Sequence, residues 1–138
     1  MSSFKIFDIV GSGLSAQSVR LNTTASNLAN ADSVSGDPNQ VYKAKHPLFE
    51  AIRASLGSNA ASSGVNVRGI VESQAAPTAR YEPGNPLADT NGYVYAPNVN
   101  TVEEMVDMIS ASRSYQNNVE VMNTSKDLLM ATLRLGQG

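Results

Sequence analysis

The chain contains no cysteine, which removes both a disulfide framework and a thiolate zinc site and leaves the redox compartment open. Its one histidine, His46, excludes any two-histidine metal motif. A serine–histidine–acid arrangement would rest on that residue alone, just before Pro47 and with no G-x-S-x-G elbow, so a surface histidine is the plainer reading. Charge is scarce as well. Asp, Glu, Lys and Arg make up 16% of the residues, the formal net charge is -2, and no run of Lys or Arg forms a stripe for a phosphate backbone, which argues against nucleic acid as a partner.

Long hydrophobic runs are also missing. Nothing approaches the roughly eighteen apolar residues of a spanning helix, so no direct membrane span is expected. "FKIFDIV" is broken by Asp8 and lacks a following small-residue cleavage site, so export, if it occurs, is expected without a cleavable signal peptide.

What is present is a 138-residue chain, 41% hydrophobic, with Ser, Asn, Ala and Thr filling the space that charges usually occupy. That length suits one domain of ordinary size. Val10, Leu14, Leu21 and Leu28 recur at three-four spacing, with Gln17 and Thr24 in the remaining seam positions. The pattern predicts an amphipathic helix over roughly residues 4 to 29. Its intrinsic propensity is poor, because Gly11 and Gly13 each cost about 1 kcal/mol relative to alanine and many Ser, Thr and Asn follow. Alone, it should be largely disordered.

A second helix is announced by Pro97 and by Thr101 with Glu104 three residues on, the spacing of a capping box. Glu103, Glu104 and Asp107 suit the positive dipole end and Arg134 the other. Met108, Ser112, Tyr115, Val119, Met122, Lys126, Leu129 and Leu133 continue at four-three spacing, with Met105, Val106 and Ile109 widening the stripe. A helix over residues 102 to 135 would be roughly 50 Å long, longer than a compact globule of this size, so its stripe should be covered by the first helix together with other chains, the alternative being a helical pair packed on its own middle domain.

Between the helices, "QVYKA", "VNVRGIV", "ARYE" and "GYVYA" read as short strands separated by turn-rich segments, with a bulge expected at Gly69 and a type I′ turn at Asn91-Gly92. The expected fold class is mainly α with a small β insertion: terminal helices paired in a coiled-coil domain over 1–30 and 98–138, and a β-rich middle domain over 31–97 with a flexible loop near 53–64.

The motifs for chemistry fail individually. "GSG" at 11–13 lacks the rest of a phosphate loop and instead suits close helix approach. "ADTNGYV" matches part of a calcium loop, but Leu87 and Asn98 occupy two ligand positions. The carboxylates are scattered, and Tyr81, Tyr93, Tyr95 and Tyr115 suit packing as well as ligand stacking. No catalytic, cofactor-binding or metal residue is assigned. The stretch "ASNLANADSVSG" closes the first helix; its amides read as terminators and packing contacts, with Asn30 suited to a left-handed residue after the helix end and the partner of Asn27 open.

At this point two blocks become recognisable. "FDIVGSGLSAQSVRLNTTASNLANADS" resembles the N-terminal segment of the flagellar rod and hook axial-protein family. "YEPGNPLADTNGYV" with the residues after Pro97 resembles its proximal-rod members, as does "QVYKAKHPLFEA". The resemblance implies a non-enzymatic structural subunit without cofactors. It implies passage through the flagellar type III export apparatus and assembly in the periplasm into a helical, torque-transmitting rod. The implied partners are further copies, the proximal and distal rod subunits, and the export-gate/rod-base junction protein.

On that reading Leu14, Leu21, Leu28, Tyr115, Val119, Met122, Leu129 and Leu133 form the apolar seam for subunit packing. Gln17, Asn27 and Asn30, with Arg113 and Gln116, supply directional hydrogen bonds that fix register. The alternatives are a coiled-coil adaptor or other type III secretion substrate, and a small hydrolase or ligand-binding domain using His46 and the tyrosines.

Overall fold

A computed structural model of the chain describes residues 3–52 and 64–138. Six elements follow in order: α1 (Ser3–Asn30), β1 (Lys45–Ala51), β2 (Val65–Glu72), β3 (Thr78–Tyr81), β4 (Tyr93–Ala96) and α2 (Thr101–Gly136). The fold is mainly helical with a small β region. The flexible loop expected near 53–64 falls almost wholly outside the described residues.

The two helices run antiparallel. Asn27 meets Glu104, Arg20 Nη2 donates to Asp107 Oδ1 at 2.6 Å, and Gly13 faces the side-chain amide of Asn118, so residues late in α1 lie beside residues early in α2. A Cβ at Gly13 would sit 3.0 Å from Asn118 Nδ2, so the missing side chain does allow close approach there. Gly11, by contrast, faces open space.

Each helix terminus differs from the sequence expectation in one respect. The N-cap of α2 is Asn100, whose side chain accepts from Val102 N at 3.1 Å and Glu103 N at 3.4 Å. The capping box does not form: asparagine caps at least as well as threonine, and the one-residue shift leaves the Glu104 carboxylate available to Asn27. At the end of α1, Asn30 is the last helical residue rather than a left-handed one, since no described non-glycine residue has positive φ. Its amide folds back to Ser26 O at 2.8 Å, and Ser33 N and Oγ both reach Asn30 O, so the end is closed by local bonds.

The β region forms two antiparallel pairs, β1–β2 and β3–β4. Leu48 pairs with Gly69 and Phe49 with Val67, which leaves Arg68 as the extra residue of a bulge beside Gly69, close to where it was expected. "QVYKA" is not a strand. Val41 and Ala44 are buried and the Tyr42 hydroxyl bonds to Ser26 and Asn27, so this segment anchors to α1 and the ladder begins at Lys45. β1 and β2 pack alongside α1. The β3–β4 pair instead joins the segment after α1, through Ser35 N to Tyr95 O at 3.0 Å and Tyr95 N to Ser35 O at 2.8 Å, with Val94 and Ala96 fully buried.

The type I′ turn is also corrected. Gly92 has φ 81 but Asn91 is not left-handed. Asp89 Oδ1 accepts from Asn91 N and Tyr93 N, and Gly92 N donates to Asp89 O, so the aspartate builds the turn and only its last residue needs glycine.

Candidate assembly surface and the Asn27 junction

Asn27 is the most completely engaged side chain of the helix pair, and it is 1% exposed. Its Nδ2 donates to Lys45 O at 3.0 Å and to Glu104 Oε1 at 2.9 Å; its Oδ1 accepts from Lys45 N and from Tyr42 Oη, both at 2.8 Å. All four hydrogen-bonding positions of the amide are therefore used. Toward Lys45 it acts as a one-residue strand, taking both backbone polar groups at the point where β1 begins. Toward Glu104, 8% exposed, it supplies the donor without which a carboxylate so placed would be costly. One amide thus fixes α1, α2 and the start of β1 relative to one another.

Sequence reasoning singled out Asn27 but missed Glu104, Tyr42 and Lys45. Glu104 already had an explanation in the helix start, and nothing local distinguishes it from Glu103.

The remaining expected seam residues divide by side. In α1, Val10 and Thr24 are buried and Leu14, Gln17, Leu21 and Leu28 are half-buried, while the Gln17 Oε1 atom is buried without a hydrogen-bond partner. Asn30 is half-buried and spends its amide within its own helix.

In α2 the half-buried positions include Met108, Ser112, Asn118, Met122, Ser125 and Leu129, with Ala111 and Glu104 buried. The four-three spacing of covered positions is present, but alternate ones move by one residue: Asn118, beside Gly13, and Ser125 are half-buried where Val119 and Lys126 were expected. The reason is steric. A glycine at position 13 brings the backbones together and small or polar residues fill the narrow seam.

The apolar residues this rotation displaces lie outside. Val119 and Tyr115 are exposed, as are Arg113 and Gln116, and Leu133 is 55% exposed. Val102, Met105, Val106 and Ile109 are exposed at one end of α2 and Leu128, Met130, Leu133 and Leu135 at the other, with Leu135 reaching 84%. Every residue from Met130 onward is exposed. The antiparallel register explains this: α1 has 28 residues against 36 in α2, so the last turns of α2 run past the described start of α1. Single exposed leucines are ordinary on protein surfaces, but apolar clusters exposed at both ends of one helix mark an interaction surface.

For chemistry the geometry offers little. His46 is exposed in β1. Among the described residues no group of three or more His, Cys, Asp and Glu side chains gathers as metal ligands would. The phenol of Tyr95 is held above its ordinary ionisation range, first by partial burial and then by the adjacent negative charge of Asp89, to which it donates at 3.4 Å. Asp89 belongs to the turn that closes β3 onto β4, and Tyr95 to β4 itself.

Comparison with known sequences bears directly on these surfaces. Residues 7–36, most of α1 and its exit, match the family described as flagella basal body rod protein. Residues 90–135, β4 and nearly all of α2, match the flagellar basal body rod FlgEFG protein C-terminal family. The flagellar basal-body rod protein FlgC of Salmonella typhimurium (strain LT2) is 57% identical over 137 residues, covering 99% of this chain and 100% of the relative. FlgC of Escherichia coli O157:H7 is 58% identical with the same coverage, and FlgC of Buchnera aphidicola subsp. Baizongia pistaciae is 36% identical over 139 residues, again 99% of this chain and 100% of the relative. With full-length identity at this level and both helices matched, the chain belongs to the FlgC family of flagellar basal-body rod proteins.

Proposed function

We propose that the chain is a structural subunit of the flagellar rod, not an enzyme, and that it works by packing the outer face of α2 and the free flank of α1 against neighbouring rod subunits. The observation that carries this reading is the pair of apolar clusters left exposed on α2, Val102, Met105, Val106 and Ile109 at one end and Leu128, Met130, Leu133 and Leu135 at the other. In the finer reading the terminal helices form a coiled-coil layer and 31–97 a smaller outer domain. Leu14, Leu21, Leu28, Tyr115, Val119, Met122, Leu129 and Leu133 supply apolar contact there, and Gln17, Asn30, Arg113 and Gln116 supply directional bonds, while Asn27, its hydrogen-bonding positions already used, sets register within the subunit instead.

The physical chemistry supports assembly-coupled ordering. A helix carrying Gly11, Gly13 and a run of Ser, Thr and Asn gains little from its own backbone and depends on neighbours for apolar cover. A subunit carried unfolded through a type III export apparatus to a periplasmic rod would meet those neighbours only at the growing end, among proximal and distal rod subunits and the rod-base junction protein. The ordering entropy would be offset there and not in the cytoplasm. The test is replacement of Leu21 or Leu129 by Asp. Both variants should express normally yet fail to enter basal bodies and abolish swimming, whereas normal motility of both would reject the proposal.

A further inference from the structure

The Asn91-Gly92 step is chemically vulnerable in any open chain, because the backbone nitrogen of a glycine meets little hindrance in reaching the preceding side-chain carbonyl carbon. Here that nitrogen is engaged. Gly92 N donates to Asp89 O at 3.0 Å, and Asp89 Oδ1 holds Asn91 N at 2.8 Å and Tyr93 N at 2.9 Å. Gly92 sits under Tyr81 and Pro83, where an added Cβ would lie 3.0 Å from Tyr81 Cε2 and 3.2 Å from Pro83 Cβ, and its carbonyl accepts from Glu82 N at 2.9 Å. Asn91 itself is exposed to water.

We propose that Asn91 is a deamidation site gated by this turn: protected while Asp89 holds the turn closed, and converted when the β3–β4 connection opens. In the open chain Gly92 N gives its proton to water or hydroxide and attacks Asn91 Cγ. The N–Cγ bond forms, the Cγ–Nδ2 bond breaks, and ammonia leaves with a proton from solvent. Water then opens the cyclic imide at either carbonyl, giving aspartate or isoaspartate at position 91 with no oxidant or reductant consumed. Isoaspartate lengthens the main chain by one methylene and both products place a carboxylate next to Asp89. Gly92 has no free space on its Tyr81 and Pro83 side to absorb the added length, so the isoaspartyl chain does not re-close the turn. The inference stands apart from the rod assignment, since it needs only this turn.

The test compares the full chain under native conditions and in guanidinium at the same mildly alkaline pH, following Asn91 by peptide mass and by isoaspartate methylation. Conversion should be at least about tenfold faster in denaturant, because native conversion is confined to the small population whose turn is locally open. Asp89→Ala should raise the native rate toward the denatured one, and Gly92→Ala should slow conversion in denaturant. Equal native and denatured rates in the parent chain would overturn the proposal. So would absence of conversion at Asn91 in denaturant, or an unchanged native rate in Asp89→Ala.

Discussion

Asn27 Nδ2 donates to Glu104 Oε1 at 2.9 Å, joining residues 77 positions apart, and the same amide holds both backbone polar groups of Lys45. The helix pair and the β1–β2 pair are therefore not independently placed. Whatever orders α1 also sets where β1 starts.

Removing that amide should be expensive in a specific pattern. Asn27→Ala strands the Lys45 backbone groups and the buried Glu104 carboxylate, a loss of about 2–4 kcal/mol. Asn27→Asp should be worse, because two carboxylates then face each other. Glu104→Gln keeps an acceptor for Asn27 and should cost about 1 kcal/mol or less. Combining Asn27→Asp with Glu104→Gln should recover part of the loss by reversing the donor. Incorporation of each variant into purified basal bodies, quantified by immunoblot, gives the ranking; equal incorporation of Asn27→Asp and Glu104→Gln would contradict it.

Two glycines should respond in opposite directions to alanine. At Gly36 a Cβ would meet Leu87 O at 2.5 Å, a backbone atom that cannot move aside cheaply, so Gly36→Ala should destabilise the β3–β4 attachment by about 1–3 kcal/mol. At Gly11 nothing lies within 4 Å, so Gly11→Ala should stabilise α1 by up to about 1 kcal/mol through helix propensity. Hydrogen exchange of Tyr95 and Ser35 amides reads the first change, and circular dichroism of the full chain the second.

Tyr95 gives a pH dependence of defined sign. Burial, Asp89 and their hydrogen bond raise the phenol's folded value above its unfolded one, so the neutral form is favoured in the fold. The resulting stabilisation is fully present below the unfolded value near 10 and is lost as pH rises through the folded value. An ultraviolet absorbance titration should show one tyrosine ionising above the rest, absent in Tyr95→Phe. Its persistence in that variant would assign the shift to another residue.

Much of the architecture is legible in the sequence because it rests on local patterns. The spacing of Val10, Leu14, Leu21 and Leu28 and the long stripe after Pro97 locate both helices, and the turn residues locate the β region. What was not legible depends on rotation and distance. Whether Asn118 or Val119 faces α1 is decided by how closely the backbones approach at Gly13, a tertiary fact. The partners of Asn27 come from three separate segments, and Glu104 looks like any first-turn acid until α1 is beside it. "QVYKA" has strand-like composition, yet its valine is buried in the anchor to α1 and its tyrosine bonds to Ser26 and Asn27. Tertiary contacts overrode its propensity.

The absence of cysteine makes the central claim directly measurable, since any thiol introduced is the only one in the chain. Val106→Cys and Leu133→Cys place a probe in each exposed apolar cluster of α2, both at positions more than half exposed in the single chain. The measurement is maleimide labelling of each variant as free subunit and in purified basal bodies that support swimming. Packing by neighbouring subunits predicts rapid labelling of the free chain and strong protection at both positions after assembly. Equal labelling in the two states would contradict it.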